Sequence, residues 1–160
     1  MKKIAALIIS VLSLLGIYAC DNNIDKVFDD QTLVEFQPAV VNAASVGRTY
    51  PLISTGNSVT AGATITAQVN LVGRQRSTDL TVRVLPDPAA TTAPANSYTL
   101  SNGGTVVIPA GKNIASLTMT VGRATSTTAP VSSVVLVIDS TSTDFKPSQN
   151  YKRVGYSFRQ

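Results

Sequence analysis

Polar and apolar side chains alternate along most of the chain after residue 32. The alternation is clearest in four segments, residues 64–71, 80–84, 117–121 and 153–159. In the first of them every second residue is apolar, and the residues between are threonine, glutamine or asparagine. A period of two with one polar face is typical of half-buried strands in antiparallel sheets. The pattern therefore predicts a β protein.

Two further segments, residues 105–108 and 134–138, are apolar on both faces, which predicts central strands. Residues 33–36 and 49–53 are predicted to form two shorter strands. Residues 73–79 carry Gly, Arg, Gln and Ser, which indicates a hairpin loop between the strands on either side. No segment of this region has a helical period. Seven or eight short strands with regular breaks predict an all-β fold, an antiparallel β-sandwich.

The first 20 residues follow the pattern of an exported precursor. Lys2 and Lys3 give a positive start, and the apolar run at residues 4–17 is shorter than the roughly 20 residues of a spanning helix. The segment Ile-Tyr-Ala-Cys that follows resembles the lipobox of bacterial lipoproteins. That resemblance implies cleavage between Ala19 and Cys20 and acylation of Cys20. The alternatives are an ordinary signal peptide with an incidental cysteine and a retained transmembrane helix.

A polar, acidic stretch follows the cysteine and indicates a tether. Its acids resemble in part the surface-export signals of Bacteroidetes-type lipoproteins, and a solvated spacer is the alternative. The predicted organisation is a signal peptide at residues 1–19, the lipidated cysteine and acidic tether at 20–32, and one β domain at 33–160. The predicted location is the cell envelope, lipid-anchored, with the outer membrane favoured and its surface-exposed or periplasmic face left open.

The composition argues against an enzyme, a cofactor site and nucleic-acid binding. The chain of 160 residues has no His, which is the commonest general base and metal ligand, and only one Cys, so no internal disulfide forms. The formal net charge is +4 with 13 basic and 9 acidic residues, and the leader holds two of the basic ones. The cleaved chain is therefore nearly balanced, without the basic run that marks a nucleic-acid surface.

Several short motifs resemble one lipoprotein family. They are Thr91-Thr92-Ala93, Tyr98, Ile108-Pro109-Ala110-Gly111 with the strand after it, and Phe145-Lys146-Pro147. Together they resemble uncharacterised Bacteroidetes-type lipoproteins with an immunoglobulin-like, Calx-beta-related domain, and the resemblance covers most of residues 33–160. It implies an immunoglobulin-like antiparallel β-sandwich. It also implies a non-enzymatic role close to glycan-uptake systems of the outer membrane.

True Calx-beta domains bind calcium through clustered carboxylates, and this chain departs from that pattern. Calcium takes six to eight oxygen ligands, whereas the acids of the domain are few and widely spaced. No metal site is predicted; Asp139 and Asp144 are weak candidates, and loop capping is the favoured interpretation of both. Asp139-Ser140-Thr141 resembles the O-glycosylation sequon of Bacteroidetes-type proteins, which makes Ser140 a candidate for modification and a plain turn the alternative.

Two hypotheses for function follow. The first is a lipid-anchored interaction or structural module that has protein partners in the cell envelope, as an accessory to a glycan-uptake complex. The second is a carbohydrate-binding lipoprotein that uses aromatic platforms, with Tyr50 and Tyr151 as the candidate contacts. The cations Lys152, Arg153 and Arg159 near the last strand are interpreted as charges that guard a sheet edge, with a site for an acidic partner as the alternative.

Overall fold

Ten strands and one short helix make up residues 32–160, the part of the chain that the computed structural model describes. The elements are β1 (Leu33–Phe36), α1 (Gln37–Val41), β2 (Leu52–Ser54), β3 (Ala63–Val72), β4 (Leu80–Pro86), β5 (Tyr98–Leu100), a 3₁₀ turn (Ser101–Gly104), β6 (Thr105–Ile108), β7 (Ile114–Val121), β8 (Val131–Ile138), β9 (Lys146–Pro147) and β10 (Arg153–Arg159).

The strands form two five-stranded sheets. One sheet has the order β5-β7-β3-β1-β9 and the other the order β2-β10-β8-β4-β6. Buried side chains from both sheets form one hydrophobic core, so the prediction of an all-β sandwich is confirmed. The count of ten strands exceeds the predicted seven or eight. Strands such as β5 and β9, with three and two residues, are too short to show a period.

The alternation in the sequence matches the buried and exposed faces of the alternating strands, of which β3 is the longest. In β3 the side chains of Ala67, Val69 and Leu71 are buried, and the threonines at 64 and 66 are exposed. This burial follows from the pleat, which sends successive side chains to opposite faces. β8 is the central strand that its apolar run predicts, because it lies between β10 and β4.

Three expectations about strand neighbours are wrong. β6 lies at the edge of its sheet and leaves Val107 46% exposed, because a four-residue apolar run does not reveal whether a second neighbour exists. Residues 73–79 are no hairpin loop, because β3 and β4 belong to different sheets and the loop crosses between them. β10 lies between β2 and β8, so its cations do not guard an edge.

Two further details differ from the prediction. The sandwich is not purely antiparallel, because β9 pairs with β1 and β2 pairs with β10 in parallel. The helix α1 was not expected, since five residues cannot show a helical period. Pro38 lies in its first turn, where proline is favoured, and Asn42 Nδ2 donates to the Pro38 carbonyl oxygen at 2.8 Å. The predicted second strand also begins later, at Leu52.

The chain after β4 remains bonded to β8 through threonine side chains. Thr91 Oγ1 accepts the Val135 N–H at 3.0 Å, and Thr92 Oγ1 accepts the Ser133 N–H at 2.9 Å. The Asp87 N–H donates to the Val135 carbonyl oxygen at 2.7 Å. Hydroxyls therefore take the place of a regular ladder where the Pro-Asp-Pro turn interrupts the strand, and the backbone N–H of Asp87 fixes its position.

Candidate functional site

The predicted lipidation site lies outside the described residues. Ala19, Cys20 and the tether up to residue 31 all precede Thr32, where the description begins. Within residues 32–160 no helix is both long and apolar enough to cross a bilayer. Cleavage and acylation at Cys20 therefore stay predictions from the sequence.

Asp139 and Asp144 lie on the same loop after β8. Asp139 Oδ1 accepts the Thr141 N–H at 2.9 Å, and this bond is the main cause that lowers the pKa of the Asp139 carboxyl. The N–H of Asp144 donates to Ser142 Oγ at 3.2 Å. Across residues 32–160 no three His, Cys, Asp or Glu side chains come together in a group that could hold a metal ion. Ser140, between these bonded residues, is exposed.

Tyr50 and Tyr151 line one cleft at the end of the sandwich. Its volume is about 740 Å³, which falls within the roughly 300–1,000 Å³ of common ligand pockets. One wall is the end of α1 with the chain to residue 44, a second is residues 49–51, and a third is the segment 149–153. We refer to this feature, lined by residues 39–44, 49–51 and 149–153, as the tyrosine cleft.

Hydrogen bonds hold two of the walls of the cleft. The 149–151 turn is attached to β1, because the Phe36 N–H donates to the Tyr151 carbonyl oxygen at 2.9 Å. The loop before β2 is closed by Ser45, whose Oγ accepts the Leu52 N–H at 2.8 Å. The Ser45 N–H in turn donates to the Tyr50 carbonyl oxygen at 3.1 Å. Both cleft tyrosines therefore sit on segments fixed to the sheets.

The two tyrosines differ in exposure. Tyr151 is 38% exposed, whereas Tyr50 is only 6% exposed. Tyr50 packs over Gly155 on the outer face of β10, where an added Cβ would lie 3.2 Å from Tyr50 Cε2. The absence of a side chain at Gly155 therefore makes room for the ring. Of the two predicted contacts, only Tyr151 offers a substantial part of its surface to a ligand.

Two arginines flank the ring of Tyr50. The Cζ atoms of Arg48 and Arg153 each lie 5.7 Å from the ring centroid, within the range of cation–π attraction. Arg48 Nη1 also donates to the Tyr50 hydroxyl at 2.9 Å. The ring therefore fixes two cations beside the cleft.

Arg153 also forms an ion pair with Asp87. Its Nη2 contacts Asp87 Oδ2, and the other carboxylate oxygen accepts the Ala89 N–H at 3.0 Å. Asp87 is buried, while the Arg153 side chain keeps 33% of its surface exposed. The pair joins the end of β4 to the start of β10, and Arg153, whose side chain is partly exposed, is one of the residues that line the cleft.

The lining of the cleft combines three kinds of surface. Val40 and Val41 are 40% and 66% exposed and are apolar. The side chains of Asn42, Gln149 and Asn150 carry amides that donate and accept hydrogen bonds. Lys152 and Arg153 contribute positive charge, and the lining contains no Asp or Glu. This set suits a polar ligand with hydroxyl groups and an apolar face.

Three components of the site were missed by sequence reasoning. They are the α1 wall, the partnership of Asp87 with Arg153, and the space above Gly155. The α1 wall gives no signal, because a five-residue helix has no period. The other two had local signs: Asp87 is an acid between two prolines at the end of a strand, and Gly155 is an outward strand position without a side chain, which often marks a close approach.

No protein-family model matches the chain, and no curated protein matches it in sequence. Solved structures from Bacteroides species share its fold. A candidate carbohydrate-binding protein from Bacteroides ovatus aligns with TM-score 0.52 and 12% identity, covering 79% of this chain and 36% of that protein. A two-domain protein of unknown function from Bacteroides fragilis aligns with TM-score 0.52 and 11% identity, covering 94% of this chain and 49% of that protein.

A third structure is EndoBT-3987 from Bacteroides thetaiotaomicron with its Man5GlcNAc product. It aligns with TM-score 0.52 and 14% identity, covering 79% of this chain and 30% of the enzyme. The chain therefore spans between about a third and a half of the length of the structures that it matches. At these identities the likeness shows a shared fold.

Proposed function

We propose that this chain is a non-enzymatic, lipid-anchored module of the cell envelope that binds carbohydrate in the tyrosine cleft. The observation that carries the proposal is the lining of the cleft, where the exposed ring of Tyr151 lies with three amide side chains and two cations. We also propose that the sandwich is immunoglobulin-like, as the resemblance of its motifs implies.

The similar structures support the carbohydrate part of the proposal. One is a candidate carbohydrate-binding protein, and another holds a glycan product. Because the shared identity is 12% and 14%, this support comes from the shared fold rather than from matched residues.

The chemistry of the cleft supports the same conclusion. A sugar ring has an apolar face of C–H groups, which packs on an aromatic ring, and a rim of hydroxyls, which need hydrogen-bond partners once they leave water. Tyr151 supplies the aromatic face. Asn42, Gln149 and Asn150 supply donors and acceptors for the rim. The carboxylate of Asp87 is engaged by Arg153, which favours a binding role over acid–base chemistry.

A glycan array probed with the full chain in detergent tests this function. We expect binding to a defined set of oligosaccharides, and we expect Tyr151→Ala to weaken it about tenfold, which corresponds to about 1.4 kcal/mol. Ile114→Ala is a matched control, because Ile114 is 54% exposed on β7 and does not line the cleft. Absence of any binding, or equal binding by Tyr151→Ala and the parent, would contradict the proposal.

The lipid anchor has its own test. Two or three acyl chains on Cys20 would hold the chain firmly, because each buried CH₂ contributes about 0.8 kcal/mol. We expect the full chain to incorporate labelled palmitate and to sediment with the outer membrane. Cys20→Ala should do neither. Equal sedimentation of both proteins, without label in either, would contradict lipidation and leave the cleft proposal unaffected.

Docking to a larger envelope complex is a second candidate function. Val40, Val41 and Val46 lie within seven residues of the chain and are 40%, 66% and 102% exposed, so this segment presents apolar surface that suits a protein contact. We expect crosslinking in intact envelopes to capture a specific partner with the parent chain and to lose it with the double variant Val41→Ser, Val46→Ser. Recovery of the chain alone from the parent strain would count against docking.

A further inference from the structure

The charge of the tyrosine cleft is one-sided. Lys152 and Arg153 line it, and Arg48 lies close by on the ring of Tyr50. None of the residues that line the cleft is acidic. Asp87 offsets the charge of Arg153 from outside the lining, so Lys152 and Arg48 carry the net positive charge near the cleft. That charge attracts an anion in the cleft and has no such effect on a neutral ligand.

The two lining cations have donors to spare. Arg153 uses Nη2 to contact Asp87, and a guanidinium has five N–H donors in all. The Lys152 ammonium is paired with no carboxylate of residues 32–160, although the Lys152 backbone oxygen accepts the Ile138 N–H at 3.0 Å. The backbone bond fixes the position of Lys152 and leaves its charge available.

Arg153 is held in one place before any ligand arrives. The ion pair with Asp87 restrains one side of the guanidinium, and the ring of Tyr50 lies 5.7 Å from its Cζ. A cation that is already ordered loses little conformational freedom when it binds an anion. Its planar fork also matches the geometry of carboxylate and sulfate groups.

We propose that the ligand of the tyrosine cleft is an acidic saccharide, whose carboxylate or sulfate group is bound by Lys152 and Arg153 while a sugar face packs on Tyr151. This proposal rests on the proposed function. It adds the class of glycan and names the two residues that select it. Asp87 is a positioning residue in this arrangement, because it acts through Arg153.

Matched glycan pairs on the array test the proposal. Tetragalacturonate and its methyl ester differ in the carboxylate charge and one methyl group on each sugar, and a κ-carrageenan tetrasaccharide and its desulfated form differ only in the sulfate. We expect at least one acidic member to bind ten times or more tighter than its neutral partner, and the pair that does so identifies the anionic group. Raising the salt concentration should weaken the binding of the acidic member and leave that of the neutral member unchanged, because salt screens charge.

Lys152→Gln provides the sharpest variant, since no ion pair within residues 32–160 depends on this side chain. We expect it to weaken binding of the acidic glycan three- to tenfold and to leave the neutral partner unchanged. Lys112→Gln is the matched control, because Lys112 is an exposed lysine in the β6–β7 turn and does not line the cleft. It should leave both affinities as they are.

Arg153 requires a paired variant, because its removal alone would strand the buried Asp87 carboxylate. Asp87→Asn with Arg153→Gln removes both charges together, so neither is left buried without its partner. We expect this double variant to melt near the parent temperature and to lose tenfold or more in affinity for the acidic glycan.

The outcomes separate the two proposals. Tight binding of neutral glycans that is lost in Tyr151→Ala and unchanged in Lys152→Gln would overturn the acidic ligand and leave carbohydrate binding intact. Equal affinity for the charged and neutral members of both pairs would do the same. No binding of any glycan would overturn both proposals.

Discussion

The two faces of β10 serve different purposes. On the inner face Val154, Tyr156 and Phe158 are at most 4% exposed and belong to the core between the sheets. On the outer face Gly155 lies under the ring of Tyr50, and Arg153 is paired with Asp87 beside the tyrosine cleft. The same seven residues therefore stabilise the sandwich and shape the site.

The difference between the faces shows which physical terms act on each. The inner face depends on apolar area and close packing, which are properties of the strand's own side chains. The outer face depends on partners that lie about 100 and 66 residues earlier in the chain, Tyr50 and Asp87. If the two faces act independently, substitutions on the inner face should change stability and substitutions on the outer face should change binding.

The largest expected effect is on the inner face. Phe158→Ala removes a buried ring and leaves a cavity, so we expect the free energy of unfolding to fall by about 3–5 kcal/mol. Ser157→Ala on the outer face of the same strand should change it by less than about 0.5 kcal/mol. Chemical denaturation of both variants measures the comparison. Similar losses in the two would show that the outer face is also part of the core.

Gly155→Ala tests the contact between the outer face of β10 and Tyr50, which lines the cleft. The added Cβ would lie 2.9 Å from Leu52 Cδ1 and 3.2 Å from Tyr50 Cε2, so these side chains must shift. We expect a loss of about 1–3 kcal/mol and weaker glycan binding.

Gly122→Ala is the matched control for that change. A Cβ added at Gly122 meets no heavy atom within 4 Å, so neither stability nor binding should fall. Full glycan binding by Gly155→Ala, measured together with an unchanged unfolding transition, would contradict the proposed packing of Tyr50.

The ion pair between Arg153 and Asp87 should couple the two residues. In a double-mutant cycle of Asp87→Asn and Arg153→Gln we expect a coupling free energy of about 1 kcal/mol, since the arginine is partly exposed and solvent screens the pair. Unfolding curves of the parent, both single variants and the double variant give this value. A coupling near zero would mean that Asp87 does not hold Arg153.

The smallest effect is expected at Tyr156, on the inner face. Its hydroxyl is buried without a hydrogen-bond partner in the described part of the chain. Tyr156→Phe removes this unsatisfied group, so we expect stability to rise by up to about 1 kcal/mol. A clear loss of stability, seen in the unfolding midpoint, would show that the hydroxyl has a partner after all.

Tyr156 also makes the stability of the fold depend on pH. Burial raises the pKa of Tyr156 to about 12, whereas an unfolded tyrosine has a pKa near 10. The unfolded chain releases this proton first. The protonated hydroxyl of Tyr156 therefore makes its full contribution to the free energy of unfolding below pH 10, and this contribution is lost as the pH rises to about 12. Tyr156→Phe should have a flatter decline of stability over this range. Equal slopes for the two proteins would contradict the assignment.

Much of the fold could be predicted from the sequence, and the cleft only in part. Hydrophobic period identified the strands at 64–71, 80–84, 117–121 and 153–159, because burial of alternate side chains is a local pattern. Residue type alone makes Tyr50 and Tyr151 glycan candidates, and the structure places them in one cleft.

What the sequence determined by itself is the position of the longer strands, the sandwich class and which side of each alternating strand is apolar. The tertiary structure decided which strands are neighbours, that β6 lies at an edge, and that 73–79 crosses between sheets. It also decided that the outer face of β10 contributes to the cleft. The physical reason is that alternation in the sequence shows which side chains of a strand are buried. Neighbouring strands and ion pairs depend instead on contacts between segments far apart in the chain.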